Sequence, residues 1–355
     1  MTLTQVIEEL VEERGLDKTI LSEVIREGIL TAFIKKYPEL ELTVAHDKKT
    51  DEIQVRVKKI VVQSTQDDDT QISIRRARNI DPQLSLGDEL WVPFEGKIGR
   101  IEILRAKQVI ATKIREIEAR IIYDEFKDKQ GTIVVGVVHK CERNGTAIKV
   151  GDALAFLPNS LSIPGQKYSA GFTLRALLKE VLIEPQGENQ LILDRSSAEF
   201  VSALFELEVP EIFEHLVEIK KIVRIAGYKT KIMVASNDKN VDPIGTCVGL
   251  GGARIRPILK ELGTEKIDVI GVSDSLEVCV KNALKPAVIN RVELVGGAEV
   301  HVWLNEDQRS VAIGKMGQNI ALASRLVGYD IRLMHGGSAG HLEDNKMVGL
   351  EDFSE

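Results

Sequence analysis

The feature that most constrains how this chain folds is a Gly-x-x-Gly segment that occurs twice, at residues 249–252 and 314–317. In both copies a helix-periodic run follows the second glycine, and a short apolar run then closes the pattern, at 267–270 and 331–334. An aspartate precedes the first glycine by seven positions in each copy, Asp242 and Asp307. A single such segment is commonly an ordinary turn, but two in matching contexts predict an internal repeat of two structural units.

The glycines of these segments favour contact with phosphate groups. Because glycine lacks a Cβ atom, the backbone amides at the start of the following helix can come close to a phosphate, and the helix dipole also favours negative charge there. Lys315 lies between the two glycines of the second copy and adds a mobile positive charge. The two segments therefore predict a surface that binds phosphates.

The elements of each unit are predicted to follow the order helix, strand, strand, helix, glycine loop, helix, strand. This order resembles the prokaryotic KH domain, whose loop clamps the backbone of about four nucleotides. The second loop, residues 314–317, matches the loop of that family. The first loop departs from it, because Leu250 and Gly251 stand where a basic residue is usual.

The distribution of charge separates two parts of the chain. A net charge of -7 argues on average against a nucleic-acid binder. However, residues 220–291 contain thirteen Lys or Arg and seven Asp or Glu, a net of +6, so the remainder carries -13. A basic module in an acidic chain predicts one surface for phosphates and another for a protein partner, although any single charge is also explained by a solvated helix face.

Helices are predicted at both ends of the first 128 residues. Apolar positions share one helical face at 3–10 and again at 20–37, where Pro38 ends the helix. A third apolar stripe, from Leu104 to about Phe126, predicts a long helix. We expect this long helix to be a rigid connector to the next domain.

Strand patterns lie between these helices. Apolar and polar residues alternate at 53–57, and Ile72 and Ile74 resume the alternation after three consecutive aspartates at 67–69. The aspartates admit a metal cluster as one interpretation. A solvated hairpin tip is the prediction that their composition favours.

Five short strands are predicted in the next sixty or so residues. They lie at 132–138, 146–150, 153–157, 172–182 and 190–193, with turn signals such as Asn144-Gly145 and Pro164-Gly165 between them. This pattern predicts a small closed barrel of the OB type, a fold that often binds single strands by stacking bases on aromatic rings. The candidate rings are Phe156, Tyr168 and Phe172, each equally consistent with a place in the core.

Several stretches resemble the NusA family of bacterial transcription factors. Ala-Lys-Gln-Val-Ile at 106–110, leading on to Phe126, is similar to the connector helix of that family. Glu-Val-Pro-Glu-Ile at 208–212 is similar to the start of its first KH domain, and Val-Asp-Pro-Ile-Gly-Thr-Cys-Val-Gly at 241–249 to its first loop. Two departures stand out: the turn at 225–231 lacks an arginine, and no acidic C-terminal repeats follow the second unit.

The resemblance implies a multidomain α+β protein. Its expected parts are a mixed α/β N-terminal domain that binds RNA polymerase (1–128), a small OB-type barrel (129–198), two tandem prokaryotic-type KH domains (199–273 and 274–340) and a flexible tail (341–355). The implied partners are core RNA polymerase, the single-stranded nascent transcript and other antitermination factors. Such a factor modulates pausing, termination and antitermination. The alternative is a free-standing or ribosome-associated RNA-binding module without polymerase contact.

RNA is expected to lie along a joint surface of the two KH units. The expected contacts come from the loop residues Gly249, Leu250, Gly251, Gly252, Gly314, Lys315, Met316 and Gly317, from the cations Lys229, Lys231, Arg254 and Arg256, and from the amides Gln318 and Asn319. The two amides have helix capping as their alternative role. Aspartate at Gly314 or Gly317 is predicted to abolish RNA binding without unfolding the protein.

Catalysis is not expected of this chain. It contains no Walker phosphate-binding pattern and no recognisable Ser/His/Asp or Cys/His arrangement, and Cys247 falls on an apolar helix face, as an inert buried thiol does. The histidines lack the spacing of metal ligands, so neither a metal nor a cofactor is predicted. With three scattered cysteines and neither a signal peptide nor a membrane-spanning run, the sequence predicts a reduced, cytoplasmic protein. We expect it to act as a monomer.

Overall fold

The computed structural model describes residues 18–47, 52–96, 99–187 and 189–335. The chain forms two compact units, one made of residues 1–125 with 183–185 and the other of the remainder from residue 126 onward. Each unit is described by itself below. The helix predicted at 3–10 and the tail at 341–355 lie outside the described residues.

The first unit pairs helices with a four-stranded sheet. Its elements are α1 (Lys18–Lys36), β1 (Leu42–Asp47), β2 (Glu52–Val62), β3 (Gln71–Ser73), α2 (Ile74–Ile80), β4 (Glu89–Pro93) and α3 (Arg100–Phe126). Strand β2 is central, because β1 and β4 pair with it antiparallel and β3 pairs with it parallel. Phe33 of α1 packs with Val57, Val61 and Val92 of the sheet in the core of this unit. The predicted helices α1 and α3 are confirmed.

The connection between β2 and β3 differs from the prediction. These strands are parallel, so the exposed aspartates at 67–69 lie in a crossover rather than at a hairpin tip. Asp67 organises this turn: its carboxylate accepts hydrogen bonds from the Asp69 amide (2.9 Å) and the Thr70 hydroxyl (2.7 Å). The alternation also misled at Ile74, which begins α2 instead of continuing the strand.

The second unit begins with a five-stranded closed barrel, which confirms the predicted OB-type fold. The strands are β5 (Ile133–Cys141), β6 (Gly145–Val150), β7 (Ala153–Pro158), β8 (Thr173–Gln186) and β9 (Asn189–Asp194). Neighbours around the barrel follow the order β5, β6, β7, β9, β8. Leu157, Leu174 and Leu191 fill its interior, each at most 2% exposed.

A three-stranded αββααβ unit follows the barrel. It contains α4 (Ala198–Glu208), α5 (Pro210–Phe213), β10 (Val217–Ile225), β11 (Lys229–Ser236), α6 (Pro243–Val248), α7 (Ile255–Leu262) and β12 (Lys266–Gly271). Strand β11 lies in the middle, antiparallel to β10 and parallel to β12. Phe200, Phe205 and Ile258 from its helices pack with Ile232 of β11, and the barrel residues Ile163 and Leu177 belong to the same core. The barrel and this unit therefore share one hydrophobic interior.

The second αββααβ unit repeats this topology. It contains α8 (Leu276–Ala283), β13 (Arg291–Gly296), β14 (Glu299–Leu304), α9 (Glu306–Ile313), α10 (Gln318–Val327) and β15 (Asp330–His335). Strand β14 is central, antiparallel to β13 and parallel to β15. The internal repeat is confirmed, and with it the multidomain α+β fold class.

The two repeats are packed against each other. Val223 and Met233, from the sheet of the first repeat, pack against the core of the second, and Ile270 of β12 is buried in that same core. Helix α10 contacts both β10 and β11. The sheet of the first repeat is therefore covered on both faces, by its own helices and by α10.

Candidate nucleic-acid interface

The two glycine loops have nearly the same backbone. Gly249 (φ 75°) ends α6 and Gly314 (φ 73°) ends α9. Their amides donate to the carbonyl oxygens of Gly245 (2.8 Å) and Ser310 (2.9 Å), each four residues earlier. A single helical turn then leads into α7 or α10, so each loop presents the backbone of a helix–helix corner.

The first glycine of each loop is required by close packing as well as by its φ angle. A Cβ atom on Gly249 would lie 2.9 Å from the backbone nitrogen of Arg254, and one on Gly314 would lie 2.7 Å from the Cβ of Asn319. Arg254 and Asn319 occupy the same place in their repeats, five residues after the glycine. Each loop is therefore folded back tightly onto the first turn of the next helix.

The two middle positions of each loop are open to solvent. Leu250 is 98% exposed and Met316 is 86% exposed. Gly251 (φ 59°) and Met316 (φ 52°) both adopt the left-handed conformation, which costs a residue with a side chain about 1–2 kcal/mol. The last glycines, Gly252 and Gly317, have positive φ with no atom close enough to clash with an added Cβ.

Two of the predicted cations are free to reach a ligand. Lys315 and Arg256 are exposed, and neither forms an ion pair with any residue that the structure describes. Arg256 lies beside its loop, with its Nε 3.5 Å from the position of a Cβ on Gly252. Each loop thus has one cation without an ion-pair partner among the described residues. Lys315 lies between the two glycines of the second loop, whereas Arg256 lies beside the first loop, after its last glycine.

Arg254 has a different role from the one predicted. Its Nη2 donates to Oε1 of Glu211 (2.9 Å), its Nη1 lies 2.8 Å from Oε2 of the same carboxylate, and Nη1 also donates to the Thr246 carbonyl (2.9 Å). Burial opposes ionisation of Glu211, but the hydrogen bond and charge of Arg254 outweigh it and lower the pKa of that carboxyl. The guanidinium therefore holds α6 and α7 together and is already neutralised.

Lys229 and Lys231 were predicted to supply charge at the RNA surface, but their side chains lie in the interior. The Lys231 side chain is fully buried and that of Lys229 is 11% exposed, and both ammonium groups lie 2.7 Å from Oδ2 of Asp268. Desolvation lowers the pKa of Lys231, although Asp268 favours its charged form. Because the pair is sealed between the sheet of the first repeat and the second repeat, it does not supply charge to a phosphate on the surface.

Asn319 is a buried structural amide rather than a candidate for base contact. It is 3% exposed, and its Nδ2 donates to the carbonyls of Ala312 (3.0 Å) and Leu284 (3.4 Å). Its Oδ1 accepts from Nζ of Lys229 at 3.4 Å. The Asn319 side chain therefore caps a backbone carbonyl at the C-terminal end of α9 and does not cap the N-terminus of α10, to which it belongs. Gln318, the first residue of α10, is half-buried beside the loop.

The two aspartates that seemed to mark equivalent positions are not equivalent. Asp242 is the N-cap of α6 and accepts from the amides of Ile244 (3.1 Å) and Gly245 (3.0 Å). Asp307 lies inside the first turn of α9, whose N-cap is Asn305. The spacing coincides because α9 has eight residues and α6 has six.

The aromatic candidates of the barrel lie in different environments. Phe172 is 52% exposed, which a core position would not allow. Tyr168 is half-buried, with its hydroxyl 2.9 Å from Oε1 of Gln166, and Phe156 is half-buried on β7. Phe172 is thus the ring most accessible to a stacked base.

Cys247 is an inert thiol, as predicted. It is fully buried on α6, and burial raises its pKa to about 11. Within the described ranges, no three His, Cys, Asp or Glu side chains are grouped so that they could hold a metal ion. None of the helices in that part of the chain has the length and apolar character needed to cross a membrane.

Three family profiles match successive parts of the chain. The NusA N-terminal domain matches residues 2–120. The NusA-like first KH domain matches 195–272, and the NusA-like second KH domain matches 276–340. The two KH matches coincide with the two αββααβ repeats.

Curated relatives are similar over almost the whole chain. A protein of Thermus thermophilus is 35% identical over 364 residues, covering 98% of this chain and 91% of the relative. A Bacillus subtilis protein is 34% identical, covering 91% and 87%, and one of Rickettsia conorii is 33% identical, covering 94% and 67%. All three are named transcription termination/antitermination protein NusA. This chain therefore belongs to the NusA family of transcription termination/antitermination proteins.

Proposed function

We propose that this protein is a transcription elongation factor that binds RNA polymerase and the nascent RNA, and thereby modulates pausing, termination and antitermination. Its membership of the NusA family supports this role, as do its two KH repeats, a fold that holds single-stranded RNA by its backbone. It acts by binding rather than by catalysis, in the cytoplasm where transcription takes place.

The observation that carries the RNA-binding part is the pair of exposed glycine loops. Both present backbone amides at a helix start, and an uncompensated cation, Arg256 or Lys315, stands beside each. Such sites position phosphates without reading sequence. We assign RNA contact to the loops at 249–252 and 314–317, to these two cations and to Gln318. Lys229, Lys231, Arg254 and Asn319 support the loops from within.

The polymerase contact is assigned to the N-terminal region. The NusA N-terminal profile covers residues 2–120, and the first compact unit ends at residue 125. We place the domain boundaries at 128, 198, 273 and 340, with the barrel and the KH repeats on the RNA side. Other antitermination factors would join the complex on the surfaces that remain, and the chain itself acts as a monomer.

Co-elution with core RNA polymerase tests the polymerase assignment. The intact chain is expected to co-elute with the polymerase, whereas a chain lacking residues 1–125 is expected to elute alone while still binding RNA. If the intact chain binds RNA but not polymerase, the transcription-factor assignment fails and a free-standing or ribosome-associated RNA-binding module replaces it.

A matched pair of substitutions tests the loop assignment. Gly317 has a left-handed backbone that Asp and Asn both tolerate, and nothing stands near its Cβ position. Gly317→Asp is therefore expected to lower affinity for single-stranded RNA about tenfold or more, because its charge repels the phosphate, whereas Gly317→Asn has a smaller effect. Fluorescence anisotropy at one fixed salt concentration measures this difference. Equal affinities of the two variants would exclude a phosphate at this loop.

A further inference from the structure

A groove lies between the barrel and helix α7 of the first repeat. Its volume is about 540 Å³, and it is open to solvent. Four cationic residues and one acidic residue line it, together with two aromatic rings; the lining includes Lys167, Tyr168, Phe172, Arg175, Arg195 and Lys260. We call it the barrel–helix groove. Its lining includes no residue of either glycine loop.

The floor of the groove is rigid and electrically balanced. Arg195, 2% exposed, pairs with Glu261 of α7 through Nη1 (2.5 Å), and its Nη2 donates to the Glu261 carbonyl (3.0 Å). Arg175 pairs with Glu208 at 2.7 Å, and its backbone amide donates to Oε1 of Glu261 (3.2 Å). These bonds join the barrel to α7, so the walls of the groove are held at a fixed separation.

The walls combine aromatic rings with cations that have no partner. The Tyr168 hydroxyl is fixed by Gln166, and the Phe172 ring is 52% exposed. Lys167 and Lys260 are exposed, and among the described residues neither ammonium has a carboxylate partner. An accessible ring flanked by unpaired cations is the arrangement with which proteins hold single-stranded nucleic acid, by stacking a base and contacting its phosphates.

Helix α7 connects this groove to the first glycine loop. The helix begins at Ile255, three residues after the last glycine of that loop, and its residues Pro257, Lys260 and Glu261 form one wall of the groove. Arg256 and Lys260 are both exposed and are four residues apart, so they share one helical face about 6 Å apart along the axis. A strand whose phosphates contact the first loop thus finds a line of positive charge leading to the groove.

We propose that the barrel–helix groove is a second RNA subsite, which takes a base and its phosphate from the same strand that the first glycine loop holds. The base stacks on Phe172, and Lys167 and Lys260 contact the flanking phosphates. This subsite compensates for the missing lysine in the first loop. The inference rests on the proposed RNA-binding function and adds a position to it.

The charge of the groove favours RNA over a protein segment. The acidic partners in the floor are already engaged by Arg175 and Arg195, so the cations left over face a ligand that must itself be anionic. A peptide would have to be acidic and aromatic-binding at once. A nucleotide supplies both a flat apolar face and a negative charge.

The length of the RNA probe separates this subsite from the loops. Oligoadenylates of about 4 and about 16 nucleotides are compared by competition at one salt concentration, since a KH loop holds about four nucleotides and the groove lies beyond them. Phe172→Ala is expected to weaken binding of the long probe about fivefold or more, the loss expected for one stacked base, and to leave the short probe unchanged.

Two control variants make the result specific. Phe172→Tyr keeps the ring and is expected to keep the affinity for the long probe. Phe213→Ala removes a ring that is 73% exposed on α5, outside the groove, and is expected to change neither affinity.

A third variant tests the phosphate contact. Lys260→Gln should lower the slope of log affinity against log salt by about 0.7, the value for one phosphate contact on a single strand.

Three outcomes would overturn the subsite. In the first, Phe172→Ala binds the long probe with unchanged affinity, as expected if the groove holds a protein segment. In the second, Phe172→Ala loses the same affinity for the short probe as for the long one, and in the third, Phe213→Ala loses as much affinity for the long probe as Phe172→Ala does. If the unmodified chain binds neither probe, the proposed RNA-binding function itself fails. If Gly317→Asp loses affinity and Phe172→Ala does not, only the subsite fails.

Discussion

The two glycine loops have the same backbone but are stabilised by different side chains. In the first, the half-buried Arg254 donates to the Thr246 carbonyl of α6 and pairs with Glu211 of α5, and so ties the start of α7 to both helices. In the second, the buried amide of Asn319 does so, and it also reaches Lys229 of the other repeat. The first loop therefore depends only on its own repeat, whereas the second is coupled to its neighbour.

The two loops also differ at their middle positions, in backbone strain and in charge. The first loop has Gly251 at the left-handed position and no cation between its glycines. The second has Met316 there, at a cost in backbone energy, next to Lys315. One loop has an unstrained backbone, and the other keeps a charge and an exposed side chain where a ligand would lie. We therefore expect the two loops to contribute unequally to RNA binding.

The largest effect is expected from a methyl group on the first glycine of a loop. Gly314→Ala should lower the free energy of unfolding by about 2–4 kcal/mol, because the new Cβ meets that of Asn319 at 2.7 Å and φ is unfavourable. Gly249→Ala should behave similarly. Gly251→Ala, in open space, should cost at most about 1 kcal/mol, because the lower entropy of alanine in the unfolded chain offsets part of the left-handed strain. Urea unfolding measures all three, and equal costs at Gly314 and Gly251 would refute the packing role of the first glycine.

A smaller effect distinguishes the repeats at alkaline pH. Cys247 and Ala312 occupy equivalent buried positions, and burial raises the pKa of the Cys247 thiol from 9.0 to about 11. A pKa raised by folding contributes stability that is complete below pH 9 and is lost as the pH rises towards 11. Relative to Cys247→Ala, the unmodified chain should therefore lose about 2 kcal/mol over that interval. A constant difference between the two unfolding curves would show that the thiol is not desolvated.

The smallest effect is expected at the apex. Met316→Gly should stabilise the protein by about 0.5 kcal/mol, because relief of the left-handed strain slightly exceeds the entropy that glycine adds to the unfolded chain. Little packing is lost, since Met316 is 86% exposed. The reciprocal Gly251→Met should destabilise by a similar amount. Thermal unfolding checks both, and a destabilising Met316→Gly would mean that this side chain makes a contact that its exposure conceals.

The sequence predicted the elements well where a local pattern is sufficient. Periodicity located α1 and α3, turn residues delimited the barrel, and the repeated glycines located both loops. Local alternation failed at Ile74, because a three-residue strand followed at once by a helix leaves too short a pattern. It also gave no sign of the parallel pairing of β2 with β3, which only the tertiary fold determines.

The errors in the site have one physical cause. Lys229 and Lys231 alternate with buried residues on β11, as lysines on a solvated face would, but α10 of the second repeat covers that face. Likewise, the carboxylate that engages Arg254 comes from α5, more than forty residues earlier. Gly314 was expected to tolerate aspartate, yet Asn319 packs against it. In each case a residue distant in sequence, or a backward fold of the loop, decides the role of the side chain.

The packing of Val223 and Met233 into the core of the second repeat has a consequence for unfolding. That core is incomplete without the sheet of the first repeat, and the buried Lys229 and Lys231, which pair with the half-buried Asp268, are sheltered from water only while α10 stays in place. Neither repeat can therefore melt without exposing apolar surface and charged groups of the other. The tandem should unfold as a single cooperative element, and a nascent first repeat completes its burial only after α10 has left the ribosome.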